Sequence, residues 1–234
     1  MGAADHCVQA LIRALPSFGP KDAICFTGVT WDQYWRLREA QEEFGRRLQI
    51  SYSSGRLEVL PNRFGSECRK VMLRCFVTRL AEVFEREMYS LGSTTLEDRD
   101  ADYGFDPHES FCFGSANLGA ETADSCDASP DLVIEVEQPN RALNRLPHCA
   151  RAGIREVWYH DLDTLRILSL QSDRSYSEVD FSPTLPLVSS QDLNRFMSFL
   201  RSQDHATISR EFRAWAEALR PTIVSSRRLS CRTS

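Results

Sequence analysis

At 234 residues, 42% of them hydrophobic, the chain is long enough to bury one substantial core and suits a single main domain with short appendages. Its net charge of −5 lacks the basic excess of a domain that neutralises phosphates across its surface, so any contact with nucleic acid has to be local. The eight cysteines form no CxxC pair and no histidine stands at zinc-ligand spacing from them, which argues against a disulfide framework or a zinc site and for buried, reduced thiols.

Residues 1–26 read as a peripheral segment, a short amphipathic helix and a Pro/Gly-bearing loop. Its apolar residues Val8, Leu11, Ile12 and Leu15 are interrupted by Arg13, and no apolar run in the chain reaches a membrane span. The expectation is a soluble, cytoplasmic protein with no membrane partner. Thr30 is a natural N-cap for a helix from Trp31 to about Phe44, with Trp31, Tyr34, Trp35 and Leu37 on its apolar side. Leu48 to Tyr52 and Arg56 to Leu60 flank Ser53-Ser54-Gly55 as a hairpin.

A long helix is predicted from Ser66 to about Met88, because Cys68, Val71, Met72, Cys75, Phe76, Leu80, Val83 and Phe84 keep three-and-four spacing. Glu67 lies in its first turn, where the helix dipole favours a negative charge. Short strands follow around Ser90 to Leu96 and Ser110 to Phe113, then a polar loop from Ser115 to Ser129. Leu132 to Val136 is continuous and β-branched, as expected of a strand covered on both faces. Asn144 can cap a helix whose first turn holds Arg145, Leu146 and Pro147 and which Gly153 ends.

Glu156 to His160, Leu165 to Leu170 and Ser175 to Phe181 read as three more strands. Together these elements make a strand–helix–strand unit with an antiparallel extension, an α/β (α+β) arrangement. Two closing helices, Ser190 to Arg201 and His205 to Leu219, precede a Ser/Arg tail without acids over residues 221–234, expected to be disordered. The main domain is placed at residues 27–200 and a C-terminal helix at 201–220.

Phosphodiester hydrolysis at neutral pH calls for a hard divalent cation that activates water, and such a cation wants carboxylate oxygens from neighbouring strands. Glu135 and Glu137 share one face of their strand, roughly 6.5 Å apart by strand rise. Asp131, roughly 13 Å from Glu135 along the same strand, is too far to share its ion, so Pro130-Asp131 is a decoy. His148, His160 and His205 are dispersed and read as structural. No serine or cysteine nucleophile signature and no Gly-rich phosphate loop is present.

The segments GRLEVLP, LGSTTLEDRDADYGFDPHESFCFG, PDLVIEVEQ, NRLPHCARAGIREVW and LRILSLQ resemble, in order, the Uma-two family of restriction-endonuclease-like proteins, over roughly Thr27 to Leu200. That family is assigned to the PD-(D/E)XK nuclease superfamily. The resemblance implies a mixed β-sheet flanked by helices, a divalent metal (Mg or Mn) and DNA as substrate. It places Glu67 as the helix glutamate, Glu135 as the strand glutamate and metal ligand, and Glu137 as an accessory acid.

Two positions depart from the pattern: the metal-binding aspartate is replaced by His108 and the lysine of the following helix by Arg145. Imidazole suits softer ions better than magnesium, and Asp106 could substitute as a ligand only through a shift or bulge of the strand. Arg145 can clamp a phosphate but cannot accept a proton near pH 7, and Lys70, one turn beyond Glu67, is the candidate for the missing ammonium at the substrate. The leading expectation is therefore a metal-dependent DNA endonuclease with a degenerate site. The alternative is a catalytically silent nuclease fold serving as a DNA-binding or homodimer-forming module.

Overall fold

The computed structural model describes residues 24–43, 49–60, 64–114, 129–137, 143–161 and 163–230. The expected polar loop falls almost wholly outside these residues, as do most of the N-terminal segment and the last four residues of the tail.

Two sheets organise the described residues. The larger is mixed, with strand order β11-β10-β9-β8-β7-β4: β4 (Met88–Gly92), β7 (Glu109–Phe113), β8 (Leu132–Val136), β9 (Glu156–His160), β10 (Leu165–Leu170) and β11 (Tyr176–Val179). Among the described residues only β8 and β9 pair in parallel, joined by the crossover helix α3 (Leu146–Arg151). The smaller sheet is antiparallel, with order β1-β3-β2-β6-β5: β1 (Ile24–Thr27), β2 (Gln49–Ser53), β3 (Arg56–Leu60), β5 (Leu96–Asp98) and β6 (Tyr103–Phe105). The remaining helices are α1 (Trp31–Glu43), α2 (Phe64–Val83), α4 (Ser190–Ser198) and α5 (His205–Ser230). Among the described residues no helix is long and apolar enough to cross a membrane.

The α+β class with a mixed sheet flanked by helices is what the sequence led us to expect, and several boundaries differ. β1 lies partly in the segment read as peripheral, and it pairs with β3 through Ile24 opposite Val59. The strand expected around Ser90 to Leu96 is two strands in different sheets, β4 and β5, and β6 was not foreseen. Tyr103–Phe105 is too short to show alternation; what makes it a strand is its pairing with both β2 and β5. α5 runs on to Ser230, past the expected end at Leu219. The α1 cap is as expected: Thr30 Oγ1 accepts from the Gln33 amide at 3.3 Å, while Gln33 Oε1 accepts from the Thr30 amide at 2.9 Å.

Side-chain alternation decides what each face of the large sheet meets. Leu132, Ile134 and Val136 of β8, with Trp158, Leu165 and Ile167, pack against Leu73, Phe76 and Val77 of α2 and against Phe196 and Phe212 of α4 and α5. Val133 and Val157 point the other way, toward Tyr103 and Phe105 of the small sheet and Cys149 of α3. The small sheet in turn gives Ile50, Tyr52, Leu57 and Val59 to Tyr34 and Leu37 of α1. Gly104 is required there, because a Cβ would lie 2.3 Å from the Tyr34 hydroxyl oxygen.

The centre of the larger core is Phe76, fully buried, stacked on Phe212 at 4.0 Å between ring centroids and meeting Phe196 edge-on at 6.1 Å. Phe76→Ala is expected to cost about 3–5 kcal/mol, read as a lower urea midpoint at unchanged slope.

Candidate active site

Because Glu135 follows Ile134, it shares the face of Val133 and looks into the space between the two sheets. The antiparallel register pairs Glu109 with Ile134, which sets the preceding residue, His108, beside Glu135. His108 Nδ1 lies 3.2 Å from Glu135 Oε2 and 3.3 Å from the Val136 amide nitrogen. These contacts compete for one nitrogen: when Nδ1 accepts from the Val136 amide the ring proton is on Nε2, and when Nδ1 carries the proton it donates to Glu135.

Arg145 closes the group. Its Nη1 stands 3.3 Å from each oxygen of Glu135 and donates to the Asp106 carbonyl at 2.7 Å. Its Nε donates to Ser51 Oγ on β2 at 3.0 Å, and its guanidinium lies over the Phe105 ring, 5.5 Å from the centroid. The side chains of His108, Glu135 and Arg145 are 0%, 2% and 2% exposed, so this is a buried ion pair held from both sheets. Nη2 of the same fork has no hydrogen-bond partner among the described residues. The sequence placed Arg145 inside the first turn of α3; it is the N-cap, while the Asn144 side chain accepts from the Leu146 amide at 3.0 Å.

The other predicted residues divide. Asp106 contributes its backbone carbonyl to Arg145, but its carboxylate turns to Arg38 of α1 at 2.5 Å and accepts from Thr95 Oγ1 at 2.8 Å. Arg38 also donates to Thr95. Glu67 and Lys70 pair with each other at 2.7 Å on α2, the helix that packs on the Ile134 face, opposite the face that Glu135 occupies. Glu137 follows β8 and is half-buried. Asp131, read as a decoy, accepts from the Phe113 amide at 2.8 Å at the far end of β8. Ser51, Arg38 and Thr95 were missed. No local motif marks them, since they meet the site only through the pairing of β2 with β6 and the packing of α1.

Burial pushes the Cys149 thiol up, reinforced by the Glu135 carboxylate and opposed by Arg145, so it is an inert neutral wall of the site. Burial likewise holds His148 below its ordinary value, with Arg151 and Arg145 adding to the effect, and the ring stacks on Tyr103 at 4.8 Å.

A family model described as "Putative restriction endonuclease" matches residues 31–198. The chain belongs to the Uma2 family. A crystal structure described as a "putative nuclease" of DUF820 from Anabaena variabilis superposes with a TM-score of 0.52, covering 71% of this chain and 98% of that one at 19% identity. That likeness carries the fold alone. No curated protein matches the chain.

The Uma2 resemblance implies a divalent metal, and the residues present do not fit one as they are arranged. Among the described residues no group of three His, Cys, Asp or Glu side chains gathers as an ion site. The Asp106 carboxylate is engaged by Arg38, and the position facing both Glu135 oxygens is held by Arg145 Nη1. A hard cation would meet one carboxylate, an imidazole and a guanidinium already in place.

On the α2 side, burial raises the Glu109 carboxyl above its ordinary value of 4.5, opposed by Arg74 and Lys70 and reinforced by Glu67. The folded state therefore holds this proton more tightly than the unfolded chain. The stability it contributes is full below pH 4.5 and is lost as pH rises through the folded value. Glu109→Gln is expected to be more stable than wild type at pH 7, the gap closing as the pH falls from the folded value to 4.5, as followed by urea denaturation across that range.

Proposed function

We propose that this Uma2 protein engages DNA without cutting it, because its centre, His108, Glu135 and Arg145, is buried and closed by an internal ion pair. The observation that carries the reading is the position of Arg145 Nη1, 3.3 Å from both oxygens of Glu135 and 2.7 Å from the Asp106 carbonyl. A carboxylate neutralised in that way offers little charge to a metal ion, and a guanidinium so held cannot act as a base near neutral pH. Family membership supports DNA as the class of ligand. Asp106 serves through its backbone, Arg38 positions it, and Glu67, Lys70 and Glu137 stand outside the centre.

A second reading, metal-dependent hydrolysis of DNA, is favoured by one observation: the strand acid Glu135 is buried beside the segment that carries His108, in the order the family resemblance implies. The residue changes at 108 and 145 separate the two readings.

Wild-type protein is expected to leave supercoiled plasmid intact with magnesium or manganese. It should bind duplex DNA in a fluorescence anisotropy assay with an affinity that falls as salt rises. The double variant His108→Asp with Arg145→Lys should gain nicking that Glu135→Ala then removes. Wild-type nicking abolished by Glu135→Ala would establish the second reading, and the absence of any salt-sensitive binding would sink the first.

A further inference from the structure

A centre whose side chains are 0%, 2% and 2% exposed does not touch a phosphate, so a duplex engaged by this protein has to be met elsewhere on the surface. Charge is divided unequally along the chain. Of the 28 basic residues, Arg220, Arg227, Arg228 and Arg232 fall within residues 220–234, a stretch with no Asp or Glu. The other 24 face all 33 acids, which leaves residues 1–219 at −9 and the C-terminal stretch at +4. A body of that sign repels a polyanion, and a basic extension on it supplies the local attraction that binding needs.

The course of α5 shows how this stretch is presented. Ile208, Phe212 and Ala216 are buried in the larger core, with Trp215 and Leu219 packed against it. Arg213 reaches Glu82 at 3.4 Å and Glu217 at 2.9 Å, and Arg220 pairs with Glu85. Up to Leu219, then, the helix is fastened to the body and its arginines alternate with Glu211 and Glu217. Past Arg220 the acids stop but the helix does not. Its backbone continues to Ser230, ten residues and roughly 15 Å further along the axis, and positions 227 and 228 fall two turns beyond Arg220.

We infer that this terminal part of α5 is the element that meets DNA, Arg227 and Arg228 contacting backbone phosphates while Arg220 ties its base to Glu85. The inference rests on reading the protein as one that engages DNA. A second acid-free stretch, residues 138–155, also holds four arginines, and the structure sets it apart. Arg145 is buried on Glu135, Arg155 lies 3.8 Å from Asp131, and Arg151 donates at 3.2 Å to the Ala101 carbonyl, between Asp100 and Asp102. Acids therefore accompany those arginines in space. Phosphate contacts fix position and carry no sequence information, so binding through α5 is expected to be indifferent to DNA sequence.

The test is the salt dependence of duplex binding by the full chain, read by fluorescence anisotropy between 50 and 200 mM salt. Each phosphate contact contributes about 0.9 to the slope of log affinity against log salt. Arg227→Gln with Arg228→Gln should therefore lower the slope by about 2, equally for duplexes of unrelated sequence. Arg227→Lys with Arg228→Lys should keep it. Arg151→Gln with Arg155→Gln removes the same charge from the rival stretch and should leave the slope unchanged.

A slope that stays put in the α5 glutamine pair while wild type binds DNA would overturn the inference and leave the functional reading standing. It would confine these arginines to favourable placement at a helix C-terminus, which a fall in helicity by circular dichroism reports. A slope lowered by the Arg151 and Arg155 pair instead would overturn it too, in favour of α3. Sedimentation of wild type with phosphatidylserine vesicles, lost in the glutamine pair with the DNA slope unmoved, would assign the stretch to an anionic membrane surface and overturn it. Wild type that binds no duplex even at 50 mM salt sinks the functional reading, and the inference with it. Should the glutamine pair lose helix, the lysine pair decides: a slope kept at wild-type value supports phosphate contact, and a slope lowered by about 2 with helix intact overturns it.

Discussion

The ion pair between Glu135 and Arg145, buried where the two sheets face each other, is the interaction on which the arrangement of the centre depends. A carboxylate with 2% side-chain exposure is costly unless it is matched, and its match comes from the start of the crossover helix. The guanidinium in turn needs acceptors of its own, and it finds them on both sheets: Ser51 from the small one, Glu135 from the large one, and the Asp106 carbonyl from the link between them. Packing brings Tyr103, Phe105, Val133 and Cys149 together on the same side, so the polar cluster sits in an otherwise apolar seam. Low polarity strengthens the pair and raises the penalty for breaking it.

Much of the scaffold was legible in the sequence because periodicity reports burial. The continuous run Leu132 to Val136 is a fully buried strand, the hairpin around Ser54-Gly55 pairs as expected, and Thr30 caps its helix through a reciprocal contact with Gln33. What stayed hidden is the set of features that long-range pairing creates. β6 has three residues and no pattern of its own, and β1 is a strand because β3 is available to it. The division of the strands into two sheets could not be read from local spacing, since β4 and β5 are separated only by residues 93–95 and yet join different sheets.

The candidate residues show the same limit. His108, Glu135 and Arg145 were all singled out by their types and order, and they do come together. Glu67 and Lys70 were singled out on the same grounds, but α2 covers the opposite face, where they pair with each other. Which face a helix covers is a property of topology. A one-residue difference along β8 separates the Ile134 environment from the Glu135 environment, and nothing in the composition of α2 says which of the two it will meet. Asp106 illustrates the finer case. Its backbone lies at the centre, while its side chain is drawn off by an arginine 68 positions away in sequence.

The passage from β6 to β7 takes three residues, Asp106 to His108, and in that distance the chain leaves one sheet and enters the other. Both ends of this short tether are fastened: the Asp106 amide reaches the Ile50 carbonyl at 3.4 Å, and the His108 ring takes the Val136 amide at 3.3 Å. The tether therefore works as a gauge of the gap between the layers. A connector of three residues reaches roughly 10 Å at full extension, so it limits how far the two layers can part at this point. Arg38, on the face of α1 that carries Tyr34, holds the Asp106 carboxylate directly, so substitutions there reach the centre through this tether.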